Sequence, residues 1–269
     1  MSRDTATDEL AGCESVGELL TRRRELLSAG ITMAALGVSG CLGGGGGAQT
    51  ATEPPQTDEE GHEEELPEGV SEEAFESGPV PEVYQRAKSL GGEERNPDDV
   101  MAKADVNFSE FDEAQEIDAH GSGECCANCA DYIADKNGDT FGACAEVGGY
   151  IDGADWCTVY ETIPEPSVPE GMSEDELATA EVPGEYRTAT SQGDEERDPD
   201  DLRSQEDVNL TESAEAIGEE TAQPGQSCGN CADFIPDKNG DGWGACAEVE
   251  GHIASEDWCV VWEQTGEEH

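Results

Sequence analysis

Positive charge is scarce in this chain. Of its 269 residues, 13 are Lys or Arg against 65 Asp or Glu, a formal net charge of −52 at pH 7. No basic patch exists to neutralise phosphates, which excludes a nucleic-acid partner. Large aliphatic side chains are scarce too. Leu, Ile, Val and Phe together make up about 15% of the chain, below the usual range for a globular protein. One large core is therefore excluded, because too little apolar surface offsets chain entropy. Small units of under about 100 residues then need a staple, and a metal site is one. No Ser–His–Asp grouping and no phosphate loop is present, so nothing points to an enzyme. The acidity itself reads as a solvated, halophile-type surface. At molar salt the Debye length is about 3 Å, so charge alone implies no cationic partner.

What the chain does have is cysteine in a repeated pattern. Cys126, Cys129, Cys144 and Cys157 recur 102 residues later as Cys228, Cys231, Cys246 and Cys259. Both sets read C-x2-C-x14-C-x12-C, which marks two copies of one structural unit. Four thiolates of this kind suit zinc, an iron–sulfur cluster, or two disulfides.

The N-terminus has the order of a targeting segment. Arg22, Arg23 and Arg24 precede a short apolar run from Leu26 to Val38, too short to span a bilayer. The paired arginines resemble a twin-arginine signal, the route for proteins exported already folded. Val38-Ser39-Gly40-Cys41 resembles a lipobox whose cysteine, Cys41, is lipidated. Gly43 to Gly47 and the acidic stretch after them read as a flexible tether. The expected layout is an export signal over 1–40, a tether over 41–65, one domain over 66–162, a spacer over 163–167, a second domain over 168–264 and a tail over 265–269. Localisation on the extracytoplasmic face of the cell membrane follows, held by lipid.

The repeat extends beyond the cysteines. LPEGVSEEAF at Leu66 answers to VPEGMSEDEL at Val168, and the Val80 and Val182 segments align through their shared EER and PDD elements. Secondary structure is sparse. Ser173 to Glu176 reads as a capping box opening a short helix. Asn96-Pro97-Asp98-Asp99 and Asp198-Pro199-Asp200-Asp201 read as helix starts. Asn137-Gly138 and Asn239-Gly240 mark turns of hairpins. All the aromatic residues lie inside the two repeats, so these rings form much of the core. The expected fold class is a pair of small, turn-rich, irregular α+β domains, metal-stapled, in tandem behind a disordered acidic tether.

The ligand set is cysteine alone. A zinc ribbon needs two facing C-x2-C pairs, and only the first pair has that spacing. A Rieske centre needs two His ligands, and none of His62, His120, His252 and His269 has a repeat partner. Export in the folded state suits a cofactor inserted inside the cell. An iron–sulfur cluster is the preferred reading, with disulfides or zinc in a structural module left open. Asp237 to Glu248 also satisfies a calcium-loop pattern, but the first copy has Thr140 at the turn glycine and Pro236 blocks an entering helix, so an acidic hairpin is preferred. Cys125 pairs with Ser227 across the repeat, which makes Cys126 the ligand and Cys125 a spare thiol.

The C-x2-C pair, the lone Cys after an aromatic-Gly stretch, and the final Trp-Cys-x2-aromatic in Trp156–Tyr160 and Trp258–Trp262 resemble the high-potential iron–sulfur proteins. The PGQSCGNC stretch at Pro224 is similar to that family. The resemblance implies two [4Fe–4S] clusters, one on each cysteine set. It implies aromatic shielding, with Tyr84 and Tyr186 on the cluster beside Trp156, Tyr160, Trp258 and Trp262. Rings packed around a cluster exclude water and penalise its more reduced, more charged states, so an electron carrier cycling between the 3+ and 2+ states is expected. Its partners would be membrane respiratory donors and acceptors, such as a quinol-oxidising complex and a terminal oxidase or reductase. The chain departs from the family in Asp155 and Asp257, where the residue before Trp-Cys is usually Gly.

Overall fold

A computed structural model describes residues 66–265, which lie within one compact unit, Gly61–His269. Regular structure is short throughout. The first repeat holds α1 (Glu72–Ser77), α2 (Phe111–Ala114), β1 (Tyr132–Ile133) and β2 (Ala143–Cys144). The second holds α3 (Glu174–Leu177), β3 (Thr211–Glu212), α4 (Ser213–Gly218), β4 (Phe234–Ile235), β5 (Ala245–Cys246) and β6 (Asp257–Trp258). Single 3-10 turns connect them, including Cys126–Asn128 and Cys228–Asn230. The domains are therefore small, helix-poor and irregular α+β, as expected. Among the described residues no helix is long and apolar enough to cross a membrane.

Local chemistry explains these elements. Ser71 caps α1 by accepting from the Ala74 N–H at 3.2 Å. Ser173 and Glu176 form the expected capping box on α3, where the Ser173 N–H donates to Glu176 Oε2 at 2.9 Å. The hairpins also form: β1 pairs antiparallel with β2, Tyr132 opposite Cys144, and β4 pairs with β5, Phe234 opposite Cys246. Their loops are longer than a two-residue turn. In each, one carboxylate organises the loop. Asp135 accepts from the N–H groups of Asn137, Gly138 and Thr140, and Asp237 from those of Asn239, Gly240 and Gly242.

The two proposed helix starts at Asn96 and Asp198 close one turn and stop. Asn96 Oδ1 accepts from Asp98 N at 3.3 Å, and Asp198 Oδ1 from Asp200 N at 3.0 Å. The next residues are drawn into long-range pairing instead: Met101 bridges Val147, and Arg203 bridges Val249. A tertiary ladder here overrides the local capping preference.

The domains share a core. The first cysteine set packs with Val106, Tyr132, Val147 and Ile151, and also with Ala216, Ile217, Ala222 and Trp258 of the second repeat. Trp262 packs against this core and against the second one, built on Val208, Val249 and Ile253. The spacer is packed rather than loose. Ile163 is buried, and the Ser167 carbonyl accepts from the Trp243 indole at 3.0 Å.

Candidate metal centre

Each cysteine reaches the site on a different short element. Cys126 and Cys129 flank the first 3-10 turn, whose start is fixed by Asn128: its Oδ1 accepts from the Cys125 N–H at 3.0 Å. Cys144 is the second residue of β2. Cys157 follows Trp156, whose backbone pairs with Ser109, and the Thr158 N–H ties the next residue to the Val106 carbonyl at 2.9 Å. The second set is built the same way from Cys228, Cys231, Cys246 and Cys259, with Asn230 holding the Ser227 N–H at 3.0 Å.

The four thiols of each set line one small void. Its other walls are mainly apolar: Phe108, Tyr132, Val147, Ile151 and Val159 in the first domain. Leu210, Phe234, Val249, Ile253 and Val261 occupy the matching positions in the second. All eight cysteines are under 10% exposed. One carboxylate also lines each void, Asp131 or Asp233, and burial pushes both up to about 6.

Burial likewise raises the thiols, Cys129 to about 11 and Cys144, Cys231 and Cys246 to about 12. Holding them as thiolates needs a compensating cationic group in the void. Backbone amides already face the sulfurs: Glu146 N lies 3.4 Å from Cys144 Sγ, and Glu248 N lies 3.4 Å from Cys246 Sγ. A buried guanidinium stands behind the third cysteine of each set. Arg95 Nε donates to the Cys144 carbonyl at 2.8 Å, and Arg197 donates to the Cys246 and Val249 carbonyls. Sequence reasoning missed both arginines; their signal is the shared EER element, since a chain so poor in cations repeats this one.

The donor set tests what group fits. Among the described residues no three or more His, Cys, Asp or Glu side chains are arranged to hold a single metal ion. The nine described cysteines are free thiols rather than bridged pairs. Four soft sulfur donors lining one mainly apolar void, with no second C-x2-C knuckle and no bridged pair, fit a thiolate-held cluster better than zinc or disulfides. Cys125 does not line the void. It is fully buried behind the turn, where its Sγ accepts from the Gly225 N–H at 3.5 Å. The Asp237 loop carries its own amides, and Glu248 pairs with Arg203 at 3.3 Å, so that loop is occupied as a turn.

Of the six aromatic residues expected on the cluster, Trp258 packs in the core of the first cysteine set, Tyr160 and Trp262 pack against that core, and Tyr84 and Tyr186 lie apart from the cysteines. Tyr84 sits in a separate core with Phe75, Val80, Ile133 and Phe141, and Tyr186 in one with Val182 and Ile235. Their hydroxyls fasten the acidic loops: Tyr84 Oη donates to Asn137 Oδ1 at 2.6 Å and accepts from Lys136 N at 2.9 Å, and Tyr186 Oη accepts from Lys238 N at 2.7 Å. Trp156 and Trp258 are buried, and their indole N–H groups donate to Glu124 and Gln226. Tyr160 Oη donates to the Asn128 carbonyl at 3.2 Å and Trp262 Nε1 to the Ser227 carbonyl at 2.8 Å, so both brace the turns that bear the first cysteine pair. The rings that touch the void are Phe108, Tyr132 and Phe234. Tyr132 and Phe234 stand three residues after the second cysteine of each set, a repeat position that marks them in the sequence. Cys41 and the export segment lie outside the described residues.

The family model described as high potential iron-sulfur protein matches residues 94–164 and 205–266. No curated protein and no solved structure matches the chain. The two matches cover the two cysteine sets and the segments that wall both voids, and the chain belongs to the high potential iron–sulfur protein family, with two tandem copies of its domain.

Proposed function

We infer that each four-cysteine set binds one [4Fe–4S] cluster and that the protein is an exported, lipid-anchored carrier of single electrons, not an enzyme. The observation that carries this reading is the repeated geometry: four thiols around one apolar void, at matched positions in both domains. When bound, such a cluster supplies reversible one-electron chemistry at a potential set by its surroundings. The remaining work is done by the chain. Cys126, Cys129, Cys144 and Cys157, and their four counterparts, hold the group. Val147, Ile151 and Val159, with Val249, Ile253 and Val261, keep water out, which disfavours extra negative charge in the void. Amides facing the sulfurs and the buried Arg95 and Arg197 offset the charge of the thiolates.

The arginine run Arg22 to Arg24 and the Val38–Cys41 box support export in the folded state and an anchor at Cys41. Membrane respiratory complexes, a quinol-oxidising donor and a terminal acceptor, are the partners that such an anchor brings within reach. Iron and acid-labile sulfide analysis of the purified chain tests the reading. It expects about eight of each per chain. Stoichiometric zinc, or neither iron nor free thiols, would overturn it.

A further inference from the structure

The two cysteine-bearing turns face each other. The Cα atoms of Cys126–Asn128 and Cys228–Asn230 come within 8 Å of one another. Ser227 Oγ donates to the Ala127 carbonyl at 2.7 Å, and both residues are fully buried. On either side of that bond stand two proposed ligands, Cys126 before Ala127 and Cys228 after Ser227. A second strand of contacts runs beside it. The Gly225 N–H points at Cys125 Sγ, and Asn128 Nδ2 donates to Ser213 Oγ at 3.2 Å. Ser213 Oγ in turn donates to the Gln226 carbonyl at 2.6 Å.

The two domains approach closely at two glycines. A Cβ on Gly123 would lie 1.9 Å from the Ala214 carbonyl oxygen, and one on Gly229 would lie 2.8 Å from the Leu90 methyls. Trp258 reaches from the second domain into the first domain's core, and Trp262 packs against both cores. A chain that needed two independent carriers on a string would require none of this. The shared, buried interface is built on the elements that carry the first cysteine pair of each set, which brings the two cysteine sets together.

We propose that the protein is an internal two-centre relay, in which electrons pass between the domains across the Ala127–Ser227 contact. This rests on the reading that both sets hold clusters. The step is balanced: one electron leaves the reduced centre of one domain and arrives on the oxidised centre of the other, with no bond broken and no proton moved. The external donor and acceptor are the one-electron carriers already inferred. Electron transfer falls off exponentially with distance and is favoured by packed, bonded paths. The buried turn-to-turn contact is such a path, and the spare residues of the repeat gain a role in it. Cys125 and Ser227 are the paired positions that meet the opposite domain.

The test uses the full chain, half reduced, with nuclear magnetic resonance exchange measurements on the paramagnetically shifted cysteine protons. Iron and sulfide are counted first. A relay gives exchange between oxidised and reduced signals at a rate independent of protein concentration. Ser227→Ala is expected to slow that exchange several-fold while iron content and the absorbance of both centres stay unchanged, and Ser227→Thr, which keeps the hydroxyl, to restore it. Exchange in the unmodified chain that scales with concentration, or is absent with full iron loading, overturns the relay and leaves the cofactor assignment standing. A chain without iron overturns both.

Discussion

At the scale of the residue, the two adjacent cysteines separate ligand from scaffold. Cys126 lines the void, and Cys125 faces the second domain. Cys126→Ser is expected to halve the iron of the purified chain and remove the first centre, whereas Cys125→Ser retains full iron. Iron analysis with absorbance spectra checks both. Loss of the first centre in Cys125→Ser would reverse the assignment. His252 gives a second prediction. It is 4% exposed, lies edge-on to Trp243 at 6.0 Å, and its Nδ1 has no partner. Burial lowers its pKa from the ordinary 6.5, ahead of the opposing pull of the Leu177 carbonyl and Asp241. The unfolded chain therefore binds this proton more readily than the folded one. The stability tied to His252 is complete above about pH 6.5 and falls as pH drops below it. Melting curves from pH 7 to pH 5 should show a slope that His252→Tyr, the residue of the first repeat, reduces.

At the scale of the element, the hairpins depend on two kinds of glycine. Gly142 lies in the β2 approach, where a Cβ would stand 2.3 Å from the Ile133 carbonyl and 2.8 Å from the Tyr132 ring. Gly142→Ala must push the Tyr132 side of the void outward, at a cost of about 3 kcal/mol. Gly138, at the loop tip, has φ +78 and open space around it, so Gly138→Ala pays only its backbone conformation, about 1 kcal/mol. Chemical denaturation of the two variants checks the order, and an equal cost would contradict the close packing. The hairpins and the α3 capping box were legible in the sequence, because turn and cap residues act within a few positions. The helix starts at Asn96 and Asp198 were misread, because a cap residue cannot announce that Met101 and Arg203 will be claimed by partners more than forty residues away. Two of the shielding rings, Tyr84 and Tyr186, were misplaced for a related reason. Aromatic spacing shows that they are core residues, but not which of several small cores each one joins. Tyr132, three residues from Cys129 and opposite Cys144, was legible by strand pairing and was passed over.

At the scale of the whole molecule, the repeat was legible because both copies preserve one cysteine spacing without a gap. The fusion of the copies was not. Ala216, Ile217 and Ala222 carry no mark of packing against another domain rather than their own. With a net charge of −52, the compact state also works against its own field. Screening shortens from about 30 Å at 0.01 M salt to about 3 Å at 1 M. Thermal stability of the chain is therefore expected to rise as monovalent salt is raised over that range. A melting temperature indifferent to salt would show that the acidic surface is not under strain.

The proposed function requires two water-poor, four-thiolate sites that each hold a cluster cycling at its oxidised end. The decisive measurement is paramagnetic resonance with spin counting, on one sample taken through oxidation and reduction. A signal integrating to about two spins per chain is expected when oxidised, broadened by the neighbouring centre, and silence when reduced. A signal that appears only after strong reduction, or that never exceeds one spin per chain, would contradict it.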